Sequence, residues 1–202
     1  MRRASRRTFA AALAAALALA AFPSCSRLKS LLPREEAPPP AAAPADRVYA
    51  EGAAALLKGN PERALERFAE AWKENPGHAG VLQDFDEALN ALKKAGDEAY
   101  RAGRYEQAGR SWTSALQYLG HPAARAHPLP FTKAGLQAKI DRMTTALMEK
   151  AIVDYRQGNI EGAIALWKTI LSYDPSHKEA SQSLKTATTQ LENLRKIPPP
   201  AK

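Results

Sequence analysis

Apolar positions in this 202-residue chain recur at helical intervals through its middle and C-terminal parts. Over residues 78–102, a proline-free stretch, Val81, Leu82, Phe85, Leu89, Leu92 and Ala99 share one face. Leu136, Ile140, Met143, Leu147 and Ala151 do the same over residues 132–157. Over residues 176–196, Leu184, Ala187, Leu191 and Leu194 lie on one side and polar residues on the other, as expected of a terminal capping helix. No stretch alternates apolar and polar residues with the two-residue period of a sheet, and Ala, Leu, Glu, Lys, Arg and Gln dominate. The pattern predicts an all-α domain over residues 46–196 with seven helices. Residues 120–130, broken by Pro122, Pro128 and Pro130, read as a loop.

A repeated unit organises these helices. Tyr100, Arg101, Gly103, Glu106, Ala108 and Trp112 recur 55 residues later as Tyr155, Arg156, Gly158, Glu161, Ala163 and Trp167. A weaker copy stands 44 residues upstream in Gly59, Glu62, Ala64 and Phe68. The unit reads as two antiparallel helices joined by a tight turn. Gly59, Gly103 and Gly158 suit the left-handed conformation that closes a helix. Ala64, Ala108 and Ala163 are small where helices approach closely, and Phe68, Trp112 and Trp167 fill the space between hairpins.

These residues resemble the tetratricopeptide repeat. Residues 45–78 match through Gly52, Gly59, Ala64, Phe68, Ala71 and Pro76; residues 89–122 through Gly96, Gly103, Tyr105, Ala108, Trp112 and Ala115; residues 144–177 through Gly158, Ala163, Trp167 and Pro175. Gly120 replaces the closing proline of the second copy, and Ile170 the second alanine of the third. The spacings of 44 and 55 exceed the about 34 of tandem copies, and lengthened first helices are the expected cause. The resemblance implies a stack of about three hairpins whose first helices line a groove for a peptide or helix of another protein. Carried over, that groove includes Tyr49 and Leu56 from the first hairpin, Lys93, Asp97, Tyr100 and Arg101 from the second, and Met148, Ile152, Tyr155 and Arg156 from the third. Two readings of the duplicated Tyr-Arg pair stay open: a partner contact, or tyrosines packed between hairpins with arginines paired to nearby acids.

The N-terminal part has a different character. A basic start (Met1 to Arg7), a 14-residue apolar run (Phe9 to Phe22) and Pro23-Ser24-Cys25 read as a signal peptide over residues 1–24. As a helix the run reaches only about 21 Å, short of the roughly 30 Å core of a bilayer. Ser5-Arg6-Arg7-Thr8-Phe9 resembles a twin-arginine export signal, with the general secretory route as the alternative. Cys25, the sole cysteine, stands where bacterial lipoprotein signals place the lipidated residue; Phe22 and Pro23 depart from that pattern, and a structural cysteine is the alternative. Residues 25–45 carry Pro33, Pro38, Pro39, Pro40 and Pro44 and read as a semi-extended tether; residues 197–202 read as a disordered tail.

Charge changes the picture little. The net +8 falls to +4 from Cys25 onward, with 25 basic against 21 acidic residues, interspersed along each helix. That argues against a nucleic-acid face. A single cysteine makes no intrachain disulfide or cysteine-rich metal site. His78, His121, His127 and His177 lack helical metal-pair spacing and read as helix starts or loop residues. No phosphate loop, dinucleotide fingerprint, HExxH or GxSxG is present, and Asp84 and Asp86 lack companions for acid-base work. The expectation is a non-enzymatic scaffold without cofactor, exported to the cell envelope, facing the periplasm and held to the membrane through lipidated Cys25, binding an envelope protein or peptide. Binding of anionic lipid or envelope polymer is the alternative.

Overall fold

The computed structural model describes residues 43–196. The leader, Cys25, the tether up to residue 42 and the tail 197–202 lie outside them. Seven α-helices follow in order: α1 (Pro44–Leu57), α2 (Pro61–Glu74), α3 (Ala79–Arg101), α4 (Tyr105–Tyr118), α5 (Lys133–Arg156), α6 (Ile160–Tyr173) and α7 (Lys178–Arg195). A short 3-10 helix, Pro122–Arg125, interrupts the connection between α4 and α5. The described residues are all-α, a stack of three antiparallel hairpins, α1/α2, α3/α4 and α5/α6, closed by α7 against α6. Successive hairpins meet mainly through α2 on α3 and through α4 on α5 and α6. Among the described residues no helix is long and apolar enough to cross a membrane.

Helix α1 starts two residues before the expected boundary at 46. Pro44 opens its first turn, where a missing N–H costs nothing because that donor has no intrahelical partner. The prolines upstream argued against a helix, and this one instead begins it.

The three hairpin turns share one closure. Gly59, Gly103 and Gly158 have φ of 73°, 72° and 84°. In each, the glycine N–H bonds back to the residue three before it (Leu56, Tyr100, Tyr155), and the next N–H bonds to the residue five before it (Ala55, Ala99, Asp154). This is the Schellman pattern, which satisfies the last carbonyls of the first helix. Asn60 and Asn159 then cap α2 and α6 by accepting from the N–H of Arg63 and Gly162. Of the histidines, His78 and His177 cap α3 and α7 through Nδ1, and His121 opens the 3-10 helix in the same way.

Lengthened first helices explain only the first widening of the repeat. Helix α3 has 23 residues against 14 in α1, which accounts for the 44-residue spacing. Helix α5, with 24, is hardly longer than α3. The further widening to 55 comes from residues 119–132, which replace the four-residue link 75–78.

The core runs along the stack. Ala64, Ala108 and Ala163 are wholly buried at the helix crossings, and Phe68, Trp112 and Trp167 fill the hairpins beside them. Phe85, Leu89, Leu92, Leu136 and Met143 continue the core along α3 and α5. Each such side chain contributes roughly 1.5–3 kcal/mol by leaving water.

Candidate functional site

Apart from Ile152, the residues expected to line the groove divide into three groups. Tyr49, Leu56 and Met148 pack into the stack. The Tyr49 ring packs against Phe68 and His78, with centroids 5.7 and 4.8 Å away, and its hydroxyl donates to Asp84 Oδ2 at 2.7 Å. A Cβ on Gly80 would stand 2.4 Å from this ring, so the tyrosine joins α1 to α3 across a glycine. Leu56 packs on the core from its edge. Met148 was expected on the groove surface and is instead only 7% exposed. Helix α5 is covered by both α4 and α6, which widens its buried stripe beyond one face.

The second group forms a cluster around Asp97. Its carboxylate accepts from Lys93 Nζ at 2.7 Å, Lys139 Nζ at 3.1 Å and Trp112 Nε1 at 3.1 Å. Burial alone would raise the Asp97 pKa, but the hydrogen bonds and charges of Lys93 and Lys139 outweigh it and hold the carboxyl below its ordinary value. Lys139 also lies over the Trp112 ring, 5.4 Å from its centroid, in cation–π geometry. A cleft of about 190 Å³ opens here between α3, α4 and α5, lined by Tyr100, Trp112, Gly135, Lys139 and Arg142.

The third group is the Tyr-Arg pair, and its two readings divide between the two residue types. Tyr100 packs on Trp112 at 5.5 Å and meets Tyr105 edge-on at 5.8 Å; Tyr155 packs on Trp167 at 5.9 Å and bonds Gln190 on α7. The tyrosines therefore lean on the hairpin aromatics, although Tyr100 remains 43% exposed. Arg101 and Arg156 are exposed and have no ion-pair or hydrogen-bond partner among the described residues. In the first hairpin the same place holds Leu57, 89% exposed.

A second cleft, of about 310 Å³, lies one hairpin further along between α5, α6 and α7. Ile152, Tyr155, Trp167, Glu179, Gln182, Ser183 and Thr186 line it. Both clefts thus share a tyrosine from the last turn of a first helix, a tryptophan from the second helix, and a wall from the helix that follows. Sequence reasoning reached the tyrosines and tryptophans through the repeat. It missed Lys139, Arg142 and the α7 wall, which lie outside the repeated motif. The acidic pair is dispersed: Asp84 holds Tyr49, and Asp86 holds His127. The chain matches no protein-family model and no curated protein.

Proposed function

We propose that the helical stack is a tetratricopeptide-like scaffold that holds a protein partner in the cell envelope, serving assembly of a secretion, pilus or outer-membrane machine. The observation that carries this reading is the pair Arg101 and Arg156. Two long cationic side chains stand at equivalent places in successive hairpins, exposed and unpaired among the described residues, each beside a tyrosine that rests on a buried tryptophan. Arginine and tyrosine beside a buried aromatic floor is the composition of an interface hot spot. Residues 43–196 hold 21 basic and 19 acidic residues, a balance that gives the anionic-polymer alternative no support.

The double change Arg101→Ala with Arg156→Ala tests the reading. Both side chains are solvent-exposed, so thermal melting should stay close to wild type, while recovery of the partner from envelope extracts should fall about tenfold or more. Undiminished recovery by the folded variant would take the pair out of the interface.

The envelope location rests on the leader pattern and the position of Cys25. Acyl chains there would each contribute about 0.8 kcal/mol per buried methylene to membrane attachment. Mass spectrometry of membrane-extracted protein should find an acylated N-terminal cysteine. A mature chain beginning well beyond Ala37 would overturn the lipid anchor.

A further inference from the structure

Three helix starts in the stack are capped by an imidazole. His78, His121 and His177 each accept at Nδ1 from a backbone N–H, those of Val81, Ala123 and Ala180, at 3.3, 3.2 and 3.1 Å. A neutral ring in that role carries its one proton on Nε2, so a second proton has only Nδ1 to go to. There it turns the acceptor into a donor that faces another N–H. Cap and imidazolium therefore exclude each other.

The three rings differ in what else surrounds them. Nε2 of His78 lies 3.0 Å from Asp46 Oδ1, and His177 shares a cleft with Asp141 and Asp174, so carboxylates stand where they can offset an added charge. His121 has no carboxylate partner among the described residues. Its ring lies flat on Phe85 of α3, 4.7 Å between centroids, and meets Trp72 of α2 edge-on at 5.9 Å. From α2 the charge of Lys73 opposes a proton on the ring. From α4 it is joined by Tyr118, whose carbonyl accepts from the His121 N–H and whose phenol is kept protonated chiefly by burial, then by Glu66 and Glu62. Burial first, then Lys73, holds His121 below its ordinary pKa of 6.5.

This ring also anchors the 3-10 helix. The N–H groups of Ala123 and Ala124 bond to the Nδ1 and the carbonyl of His121, and both alanines are buried. Six residues on, His127 answers a proton in the opposite sense. Its Nδ1 lies 3.3 Å from Oδ2 of the buried Asp86 on α3, and a positive ring strengthens that contact. Acid thus loosens the first end of the connection and tightens the second.

We propose that His121 is an acid-released latch: a proton on Nδ1 expels the ring from its seat on Phe85 and Trp72 and frees the 3-10 helix Pro122–Arg125, while His127 stays tethered at Asp86 and the hairpins stay folded. The latch holds the neutral ring, so its contribution is complete above the ordinary imidazole pKa and is lost as pH falls through the lowered one. Opening uncovers apolar surface on α2 and α3 in a part of the stack away from the Tyr-Arg pairs.

Hydrogen-exchange protection of the Ala123 and Ala124 amides, corrected for the intrinsic pH dependence of exchange, reads the latch. From about pH 8 to about pH 5, which brackets the ordinary imidazole pKa, it should fall about fivefold, the effect of losing one hydrogen bond. The His127 amide and amides within α3 and α5 should keep their protection. Long-range 15N spectra should show neutral His121 with its proton on Nε2. His121→Asn supplies an acceptor that does not titrate and should abolish the fall. Lys73 is exposed, so Lys73→Gln should leave the fold intact and move the fall to higher pH. Protection at Ala123 that is flat with pH in the wild type overturns the latch, as does a neutral ring protonated on Nδ1. Equal loosening at Val81 and Ala180 overturns it too, because acid would then act on every imidazole cap alike.

Discussion

Gly96 of α3 lies against the face of Trp112, so close that a Cβ at 96 would stand 2.5 Å from the ring's Cδ1 and Nε1. The first hairpin repeats the arrangement, with Gly52 against Phe68 at 2.6 Å. Trp112 is buried, and its N–H is fixed on Asp97. A β-branched residue at 96 must therefore push the ring off its acceptor and overpack the crossing. Gly96→Val should lower stability by about 3 kcal/mol, at the upper end of overpacking costs. Urea unfolding measures this, and a loss below about 1 kcal/mol would mean that the crossing can open without penalty.

How far this crossing could be read from the sequence shows what a repeat can and cannot reveal. The order of glycine, alanine and aromatic predicted the turns, the close crossings and the buried Phe68, Trp112 and Trp167, because each follows from local sterics within one hairpin. The Asp97 cluster joins residues 97, 112 and 139 from three helices, and no local pattern brings those together. One signal was available. Aligning the copies sets Asp97 against Ile152 beneath two equivalent tryptophans, which implies that one indole has an acceptor and the other lacks it. The burial of Met148 was not legible, because it depends on how α4 and α6 both cover α5.

The alkaline limb of stability should carry the signature of Tyr49. Its hydroxyl is pushed from 10.0 up to about 12, chiefly by the hydrogen bond to Asp84, then by burial and by the Asp84 charge. Below pH 10 both folded and unfolded states keep the phenol proton, and the stabilising effect is present in full. Above it the unfolded chain loses the proton first, so stability falls until the folded phenol also ionises near pH 12. Burial raises Tyr118 and Tyr173 in the same direction. Tyr49→Phe, which lacks the ionising group, should be less stable at neutral pH, and its gap from wild type should close as pH rises from 10 to 12. A gap independent of pH across that window would count against the Tyr49–Asp84 bond.

Two contacts of different kinds help to hold the long connection between α4 and α5. His121 lies flat on Phe85, 4.7 Å between centroids at 16°, with burial and then Lys73 keeping its imidazole below the ordinary pKa. Further along, Asp86 Oδ2 accepts from the backbone N–H of His127 at 3.0 Å and lies 3.3 Å from its Nδ1. Asp86 is buried and its Oδ1 has no partner, so the carboxylate is only half satisfied and its desolvation offsets much of what the loop contact contributes. His127 is exposed, so water can take over its donors once the carboxylate is gone. Asp86→Ala should therefore leave global stability within about 1 kcal/mol of wild type. The loop should loosen locally around residue 127, while His121, the buried Ala123 and Ala124 and the partly buried Leu129 and Phe131 keep the rest of the connection in place. Hydrogen exchange at the His127 amide should speed up about tenfold or more, while amides in α3 and α5 keep their protection. Unchanged exchange at His127 would show that Asp86 does not hold the loop, and a large global loss would show that the buried carboxylate stabilises the stack rather than the connection.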